Sequence, residues 1–404
     1  MKQAGSRAGH LTYCTNIHPG ESWAEVLANL KRHTVSVKAR VSPNAPFGIG
    51  LRLSAKAALE LEEPSTLQAF REFLAESGMY VFTINGFPYG PFHGQPVKEQ
   101  VYRPDWTEEE RVTYSDRLAR LLAALLPRTG DLEGSISTVP GCFRLRDGEG
   151  VRATIAQNIV RHAATLVGIV QEGGPIIGIA LEPEPHCLLE TNAEAIDFIS
   201  EWIFSDAAAQ SLAGQMGLSL AEAKLALRRH VGICLDTCHA AVEFESIADI
   251  LSCVRQSGVR ILKLQITAGL ELYPASPEGL AVLRRFGEEG VYLHQTVIQD
   301  AAGGLQRFLD LSEALAAHPS PRDERWRVHF HVPLFQSNLM GLCPGFNNTG
   351  DFVRELLAHH HREPLSQHLE VETYTWDVLP AELRAMPVDE AIARELEWVV
   401  EQQR

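Results

Sequence analysis

The stretch IIGIALEPEP (176–185) is the part of the sequence that decides the fold. Its apolar, β-rich residues give way to Glu182 and Glu184 at the end of the run. HVGICLDTCH (230–239) has the same form, with Asp236 and His239 after an apolar run. A segment of helical periodicity separates the two stretches. This alternation predicts successive strands of repeated βα units around a parallel sheet.

Further β-rich runs extend this pattern along most of the chain. They are HLTYCTN (10–16), FGIGLRLS (47–54), MYVFTING (79–86), GSISTVP (134–140), RILKLQIT (260–267), RVHFHVP (327–333) and HLEVETYTW (368–376). The pattern predicts an α/β fold, a (β/α)8 TIM barrel, which needs eight strands. Nine runs are present, and the sequence leaves open which of them is surplus.

The sequence predicts a single domain over residues 1–404, because no repeat, low-complexity tract or linker divides the chain. The interval 268–326 is longer than a βα unit needs and predicts an insertion between the late strands. The loop 85–106 combines glycine, proline and aromatic residues and is expected to cover the barrel mouth. Capping-box spacing predicts helix starts at Ser22/Glu25, Thr107/Glu110 and Thr191/Glu194.

Composition and charge exclude several classes of protein. Hydrophobic residues make up 45% of the chain and charged residues 22%, which is typical of an ordinary globular protein. The formal net charge of −15 argues against nucleic-acid binding. No apolar stretch is long enough for membrane insertion, and the N-terminus lacks the apolar segment of a signal peptide. The seven scattered cysteines predict reduced thiols, and we expect a cytoplasmic protein.

Polar residues follow the predicted strands at their carboxyl ends, where the active sites of TIM barrels lie. The residues at these ends are Asn16, His18, Arg52, Ser54, Asn85, Thr138, Glu182, Glu184, Asp236, His239, Gln265, Thr267, His331, Glu370 and Glu372. Several carboxylates in a barrel mouth need compensation, because burying an unpaired charge is costly. A divalent cation is the simplest compensation, and an oxygen-rich ligand set suits Mn²⁺, Mg²⁺ or Co²⁺, with Zn²⁺ also allowed.

Each of these residues also has a purely structural interpretation. Glu182 or Glu184 could form a salt bridge with Arg52. Asp236 could cap the following helix, and His239 could be an ordinary residue at a helix start. The structural interpretations are weaker taken together, because acids lie at the ends of three strands that the fold brings around one axis.

The motifs LEPEP, LDTCHAA, LKLQIT and LEVETYTW are similar to those of sugar isomerases and epimerases with xylose-isomerase-like TIM barrels. Nearly the whole chain resembles the metabolite traffic protein EboE family. This resemblance is carried by TYCTNIHPGESW (12–23), FGIGLRLS (47–54), FTINGFPYGPFHG (82–94), VKEQVYRPDW (97–106) and DTCHAAVEFE (236–245).

The resemblance implies a set of site residues. In the isomerase branch four strand-end residues bind a metal, and the matching positions are Glu182, Asp236, Gln265 and Glu372. His331 is a rival to Gln265 as third ligand, and Glu370 a rival to Glu372. The implied catalytic residues are Glu182 and Glu372 as base and acid, His239 facing the substrate, and Lys263, which either polarises a carbonyl or neutralises a glutamate. The candidate substrate-binding residues are Asn16, His18, Arg52, Asn85, Glu184, His331 and Glu370.

The function that the resemblance implies is a metal-dependent isomerase or epimerase of a small hydroxy-carbonyl metabolite, in the setting of a biosynthetic or export gene cluster. Two alternatives stay open: a metabolite-binding protein without catalysis, and a metal-dependent hydrolase. A small molecule is the expected partner, and barrels of this branch are often homo-oligomers. No nucleotide-binding motif is present in the sequence.

Overall fold

The computed structural model describes residues 1–2, 9–94, 96–128, 131–288, 290–320, 322–337, 339 and 343–403. The strands in chain order are β1 (His10–Tyr13), β2 (Phe47–Arg52), β3 (Met79–Asn85), β4 (Gly134–Thr138), β5 (Ile177–Leu181), β6 (Val231–Asp236), β7 (Arg260–Ile266), β8 (Ala268–Leu272), β9 (Thr296–Asp300), β10 (Leu305–Phe308), β11 (Glu324–Val332), β12 (Phe346–Asn348) and β13 (His368–Val371).

The helices pack around and between these strands. They are α1 (Trp23–Asn29), α2 (Val35–Val41), α3 (Ala55–Leu61), α4 (Pro64–Ser77), α5 (Glu109–Leu125), α6 (Val151–Gln171), α7 (Asn192–Phe198), α8 (Asp206–Met216), α9 (Leu220–His230), α10 (Thr237–Val242), α11 (Ile247–Ser257), α12 (Pro277–Gly287), α13 (Leu311–Ala317), α14 (Gly350–Arg362) and α15 (Val388–Gln402). Among the described helices, none is long and apolar enough to cross a membrane.

Eight parallel strands form the predicted barrel. Their order is β1-β13-β7-β6-β5-β4-β3-β2, and a parallel bridge between Cys14 and Gly50 joins the first and last members. The prediction of a (β/α)8 TIM barrel is therefore confirmed. Gly50 is needed at the closure, because a Cβ there would lie 2.0 Å from Oε2 of Glu370.

A second, antiparallel sheet lies between β7 and β13 in the chain. Its order is β10-β9-β11-β8-β12, and β8 begins two residues after β7 ends. The run RVHFHVP (327–333) overlaps β11, which pairs with β8 and β9 and not with a barrel strand. It is the surplus run that the barrel could not use. Local alternation could not reveal this, because strands of both sheets share the same period.

The capping boxes at Ser22/Glu25 and Thr191/Glu194 are present, with both reciprocal hydrogen bonds. The predicted box at Thr107/Glu110 is wrong, because α5 begins at Glu109 after Glu108. The Thr107 backbone N–H and hydroxyl both donate to Asp105. A local turn around this buried aspartate has taken the place of the cap.

Candidate active site

A cavity opens at the carboxyl ends of the barrel strands. Its polar side consists of Asn16, Asn85, Glu182, Glu184, His239, His329 and Glu372, and its other lining residues are Phe87, Pro88, Phe92, Val97, Lys98, Val101, Tyr102, Tyr292, Leu293 and Tyr374. Residues of the loop 85–106 form much of the second group, so the expectation that this loop covers the barrel mouth is confirmed.

Three carboxylates meet at the strand ends, and two of them, Glu182 and Glu372, line this cavity. Glu182 follows β5, Asp236 ends β6 and Glu372 follows β13, and each offers an oxygen within 4.8 Å of the others. Burial raises the pKa of Glu182, and the neighbouring Glu372 and Asp236 carboxylates raise it further. Burial and Asp236 likewise raise the pKa of Glu372. Without a cation, ionising all three of these carboxylates at once is therefore unfavourable.

Two side-chain amides form hydrogen bonds with one carboxylate oxygen of Glu372. Its Oε1 accepts hydrogen bonds from Nδ2 of Asn16 at 2.5 Å and Nδ2 of Asn85 at 3.1 Å. Asn85 is itself oriented, because its Oδ1 accepts from the Phe87 backbone N–H. Asn16 and Asn85, expected to bind substrate, thus reach the cavity and also position a carboxylate.

Asp236 both caps a helix and keeps an unpaired oxygen. Its Oδ1 accepts from the backbone N–H groups of Cys238 at 2.6 Å and His239 at 3.0 Å, and from the Thr267 hydroxyl at 2.7 Å. Its Oδ2 is buried and has no hydrogen-bond partner in the described part of the chain, and the same is true of Oε2 of Glu182. The cap therefore leaves an oxygen available to a ligand.

His331 supplies a nitrogen beside these oxygens. Its Nδ1 donates to the backbone carbonyl of Glu372 at 3.0 Å, so the lone pair lies on Nε2, which is buried and unpaired among the described residues. Burial lowers the pKa of His331 to about 4, which keeps the ring neutral. His331 lies within 4.8 Å of Asp236 and His239 by ligand atoms. A ring fixed through Nδ1 with a free Nε2 is the usual form of a metal-binding histidine.

Gln265, the rival of His331, is buried on β7 and lies in register with Asp236 and Glu370. Its Oε1 lies 3.7 Å from Sγ of Cys234. Its Nε2 is buried and has no hydrogen-bond partner among the described residues. The Gln265 oxygen thus accepts from a thiol, while its amide nitrogen stays unpaired.

Lys263 and Glu370 lie below the cavity, inside the barrel. Both are fully buried, and Nζ of Lys263 is 2.7 Å from Oε1 of Glu370. Nζ also lies 3.2 Å from the Ser137 hydroxyl. Neither residue lines the cavity. The pair neutralises itself, in keeping with the neutralising role considered for Lys263.

Arg52 and His18 lie outside the cavity as well. Arg52 forms an ion pair with Glu21 at 2.7 Å and donates to the backbone carbonyl of Gly90 at 2.6 Å, so it holds the covering loop and does not neutralise Glu182 or Glu184. His18 contacts the Tyr13 hydroxyl and stacks on His33 at 4.3 Å.

A second polar group on the cavity wall centres on Glu184. Its Oε1 accepts from the Tyr102 hydroxyl at 2.7 Å, and that hydroxyl accepts from Nε2 of Gln295. Burial raises the pKa of Glu184. His239 lies beside it. Burial alone would lower its pKa, but Asp236, Glu184 and Glu182 together raise it to about 9.

Sequence reasoning missed His329, Gln295 and Tyr102 in this group. A signal existed for His329, because alternation in HFH places it on the same face of β11 as His331. No local pattern distinguishes Gln295 from a surface glutamine, and its role depends on contacts with distant segments.

The residues present fit a divalent cation. The unpaired atoms are oxygens of Glu182 and Asp236, which lie beside Glu372, and a nitrogen of His331, whose ring lies beside Asp236. Mixed carboxylate and imidazole ligands suit Mn²⁺, Co²⁺ and Zn²⁺, and carboxylates alone suit Mg²⁺. These ligand atoms are compatible with each of the four ions.

Comparisons with known proteins concern the fold alone. No family model matches the chain, and no curated protein matches it. These two comparisons therefore do not support the resemblance to the EboE family. Solved structures that align with the barrel include D-psicose 3-epimerase with D-tagatose from Clostridium cellulolyticum H10, at 12% identity and a TM-score of 0.47, covering 98% of both chains.

Two further structures align over a similar length. One is the IOLI protein with a bound zinc atom, at 13% identity and a TM-score of 0.43, covering 98% of both chains. The other is a xylose isomerase domain containing protein from Salmonella typhimurium, at 12% identity and a TM-score of 0.42, covering 98% of this chain and 97% of that one.

Proposed function

We propose that this protein is a metal-dependent isomerase or epimerase that moves a proton between carbons of a small hydroxy-carbonyl compound. One observation carries the proposal. Glu182, Asp236 and Glu372 converge at the strand ends, where Glu182 and Glu372 line a cavity and Asp236 lies beside them, with unpaired oxygens on Glu182 and Asp236. Two buried carboxylates beside a cation site are the groups that such a proton transfer requires.

The cation would be held by Glu182, Asp236, Glu372 and His331, and it would stabilise the negative charge that develops on substrate oxygens. His331 is preferred over Gln265 because its ring lies within ligand distance of Asp236 and its Nε2 is unpaired, whereas Oε1 of Gln265 accepts from Cys234.

Glu182 and Glu372 are the proposed base and acid. Their environments differ, because two amides donate to Oε1 of Glu372 while Glu182 has a free Oε2. Hydrogen bonds to a carboxylate favour its charged form, so Glu372 is the better initial base and Glu182 the better acid. Glu184 and His239 lie on the adjoining wall and are placed to bind the other oxygens of the substrate.

Deuterium incorporation tests the proposal. The protein loaded with Mn²⁺ or Co²⁺ is incubated in deuterated water with a panel of ketoses and α-hydroxy ketones, and carbon-bound deuterium is measured by mass spectrometry. We expect incorporation that Glu182→Gln and Glu372→Gln each reduce by about 100-fold or more. Glu395→Gln is the matched control, because it also removes a buried carboxylate but lies outside the cavity lining.

Other outcomes would replace the proposal. Cleavage of an ester or phosphoester without deuterium at carbon would identify a metal-dependent hydrolase. Saturable binding of a panel compound without exchange or turnover would identify a metabolite-binding protein. The proposal also places the chain in the EboE family and the cytoplasm, on the strength of the motifs quoted above and the cysteine pattern.

A further inference from the structure

The residues that line the cavity divide into a polar part and an apolar part, which come from different places in the chain. The polar part comes from the ends of the barrel strands and from β11. The apolar part comes mainly from the loop 85–106 and from the segment that precedes β9. It includes Phe87, Phe92, Val97, Val101, Tyr292 and Leu293. One cavity therefore joins the carboxylates at the strand ends to an apolar lining made by loops.

Part of this apolar lining forms a hydrophobic cluster of its own. Phe92, Val97 and Tyr292 are each no more than 8% exposed, and they pack together as a cluster separate from the main core. Val101 and Tyr374 pack against the same cluster and also line the cavity. The rings of Tyr292 and Tyr374 meet with centroids 5.1 Å apart. The apolar lining is therefore continuous, although its residues come from three distant segments of the chain.

Two tyrosine hydroxyls of this lining already use their protons within the protein. The Tyr102 hydroxyl donates to Oε1 of Glu184 at 2.7 Å. Nε2 of His93 donates to the backbone carbonyl oxygen of Asn16 at 2.6 Å. Nδ1 of the neutral His93 ring is therefore an acceptor, and the Tyr292 hydroxyl donates to it at 3.0 Å. Neither tyrosine is left with a proton for a hydrogen bond to a ligand.

These contacts restrict the part of a substrate that lies against the apolar lining. A substrate hydroxyl buried there would lose its hydrogen bonds to water without replacing them, which is unfavourable. An alkyl or aromatic group in the same place is stabilised by leaving water. Lys98 does not change this balance, because it pairs with Asp310 at 3.1 Å and its side chain is 45% exposed. A sugar, which carries a hydroxyl on nearly every carbon, therefore fits this lining poorly.

We propose that the substrate is a hydroxy-carbonyl compound whose remaining part is an alkyl or aromatic group, and not a polyhydroxylated sugar. The hydroxy-carbonyl end would lie against Glu182 and Glu372, and the apolar group against the cluster around Phe92. This inference rests on the proposed function, which supplies the hydroxy-carbonyl end.

Three ketones test the inference by calorimetric titration of the Mn²⁺-loaded protein. Erythrulose and 1,3-dihydroxybutan-2-one differ only in the terminal hydroxyl of erythrulose, and 1,3-dihydroxy-4-phenylbutan-2-one carries a phenyl ring at that position. All three keep the groups on which the proposed proton transfer acts. We expect 1,3-dihydroxybutan-2-one to bind about threefold tighter than erythrulose, and the phenyl compound about tenfold or more tighter than erythrulose.

Variants of two cavity valines test direct contact with the apolar group. Threonine has nearly the shape of valine, so Val97→Thr combined with Val101→Thr adds hydroxyls to the lining with little change in packing. We expect the double variant to bind the phenyl compound about tenfold more weakly and erythrulose about equally well. Val378→Thr is the matched control, because Val378 packs against the same cluster but is not a lining residue. Near-ultraviolet circular dichroism checks that both variants are folded.

Several results would overturn the inference. Erythrulose binding as tightly as the phenyl compound would indicate a polyhydroxylated substrate, and failure of all three ketones to bind would also reject the proposal. An equal loss of phenyl binding in Val378→Thr would mean that the cluster acts through the position of the loop and not through contact. The proposed function fails separately. Tight binding of the phenyl compound without deuterium exchange would reject the proton transfer and keep the apolar substrate, whereas exchange with preferred binding of erythrulose would do the reverse.

Discussion

Nδ1 of His331 donates to the backbone carbonyl oxygen of Glu372 at 3.0 Å. This single hydrogen bond joins β11 of the inserted sheet to the residue that follows β13 of the barrel. It fixes the His331 ring beside Asp236 and leaves Nε2 without a hydrogen-bond partner in the described part of the chain. The second, antiparallel sheet therefore contributes a residue that lies beside the candidate site.

Replacing His331 by glutamine is expected to weaken divalent-metal binding by about tenfold or more, because it removes a nitrogen ligand and its anchor. Isothermal titration of the metal-free protein with Mn²⁺ measures the change. His318→Gln is the matched control, since His318 is buried next to β11 but pairs with Glu324 at 3.0 Å, away from the cavity. Equal affinities in the two variants would contradict the ligand role of His331.

Asp236 is both a proposed metal ligand and the N-cap of α10, and substitutions can separate these two roles. Asparagine can still accept the backbone N–H groups of Cys238 and His239, so Asp236→Asn is expected to lose metal while keeping most of the stability. Asp236→Ala should lose metal and a further ~1 kcal/mol of unfolding free energy, because the cap of α10 is gone. Urea denaturation of the metal-free variants makes the comparison. A fully stable alanine variant would show that the cap is unimportant.

Lys263→Met is expected to lower the unfolding free energy by about 3–5 kcal/mol, because it leaves the Glu370 carboxylate buried without its partner. Lys263→Met combined with Glu370→Gln should recover most of this loss, because no buried charge remains. Chemical denaturation of the single and double variants tests the coupling. A double variant no more stable than Lys263→Met would mean that the lysine acts through packing alone.

Glu395 should make stability depend on pH. Burial raises the pKa of Glu395 from its usual value of 4.5 to about 7, although the Leu334 N–H and the Thr373 hydroxyl donate to it. The native state therefore holds this proton more tightly than the unfolded state. The contribution of this proton to the free energy of unfolding is fully present below a pH of about 4.5. It decreases as the pH rises to about 7, and above that pH the free energy of unfolding no longer changes through Glu395.

The size of the Glu395 effect is at most about 3 kcal/mol. Glu395→Gln keeps an oxygen for both donors and does not titrate, so its unfolding free energy should fall less between pH 5 and pH 8 than that of the unchanged protein. Denaturation curves at several pH values measure the difference. Parallel pH profiles for the two proteins would place the titration elsewhere.

The barrel was predictable because its signal is local. Each strand is a short apolar run between helical segments, and polar residues follow it at a constant position. The same rule placed Asn16, Asn85, Glu182, Glu184, His239 and Glu372 at the cavity, where the structure has them. It failed to separate Arg52 and His18 from this set, because a residue at a strand end can turn its side chain toward a neighbouring loop.

The sequence by itself determined the barrel and the three strands whose ends bring acids together, since both follow from periodicity within single segments. Only the tertiary structure decided which atoms stay free. Asn16 and Glu372, which form one of the hydrogen bonds of the centre, are 356 residues apart, and the surplus β-rich run supplies His331 from a second sheet. Pairing partners and free lone pairs depend on such distant contacts, which no local pattern encodes.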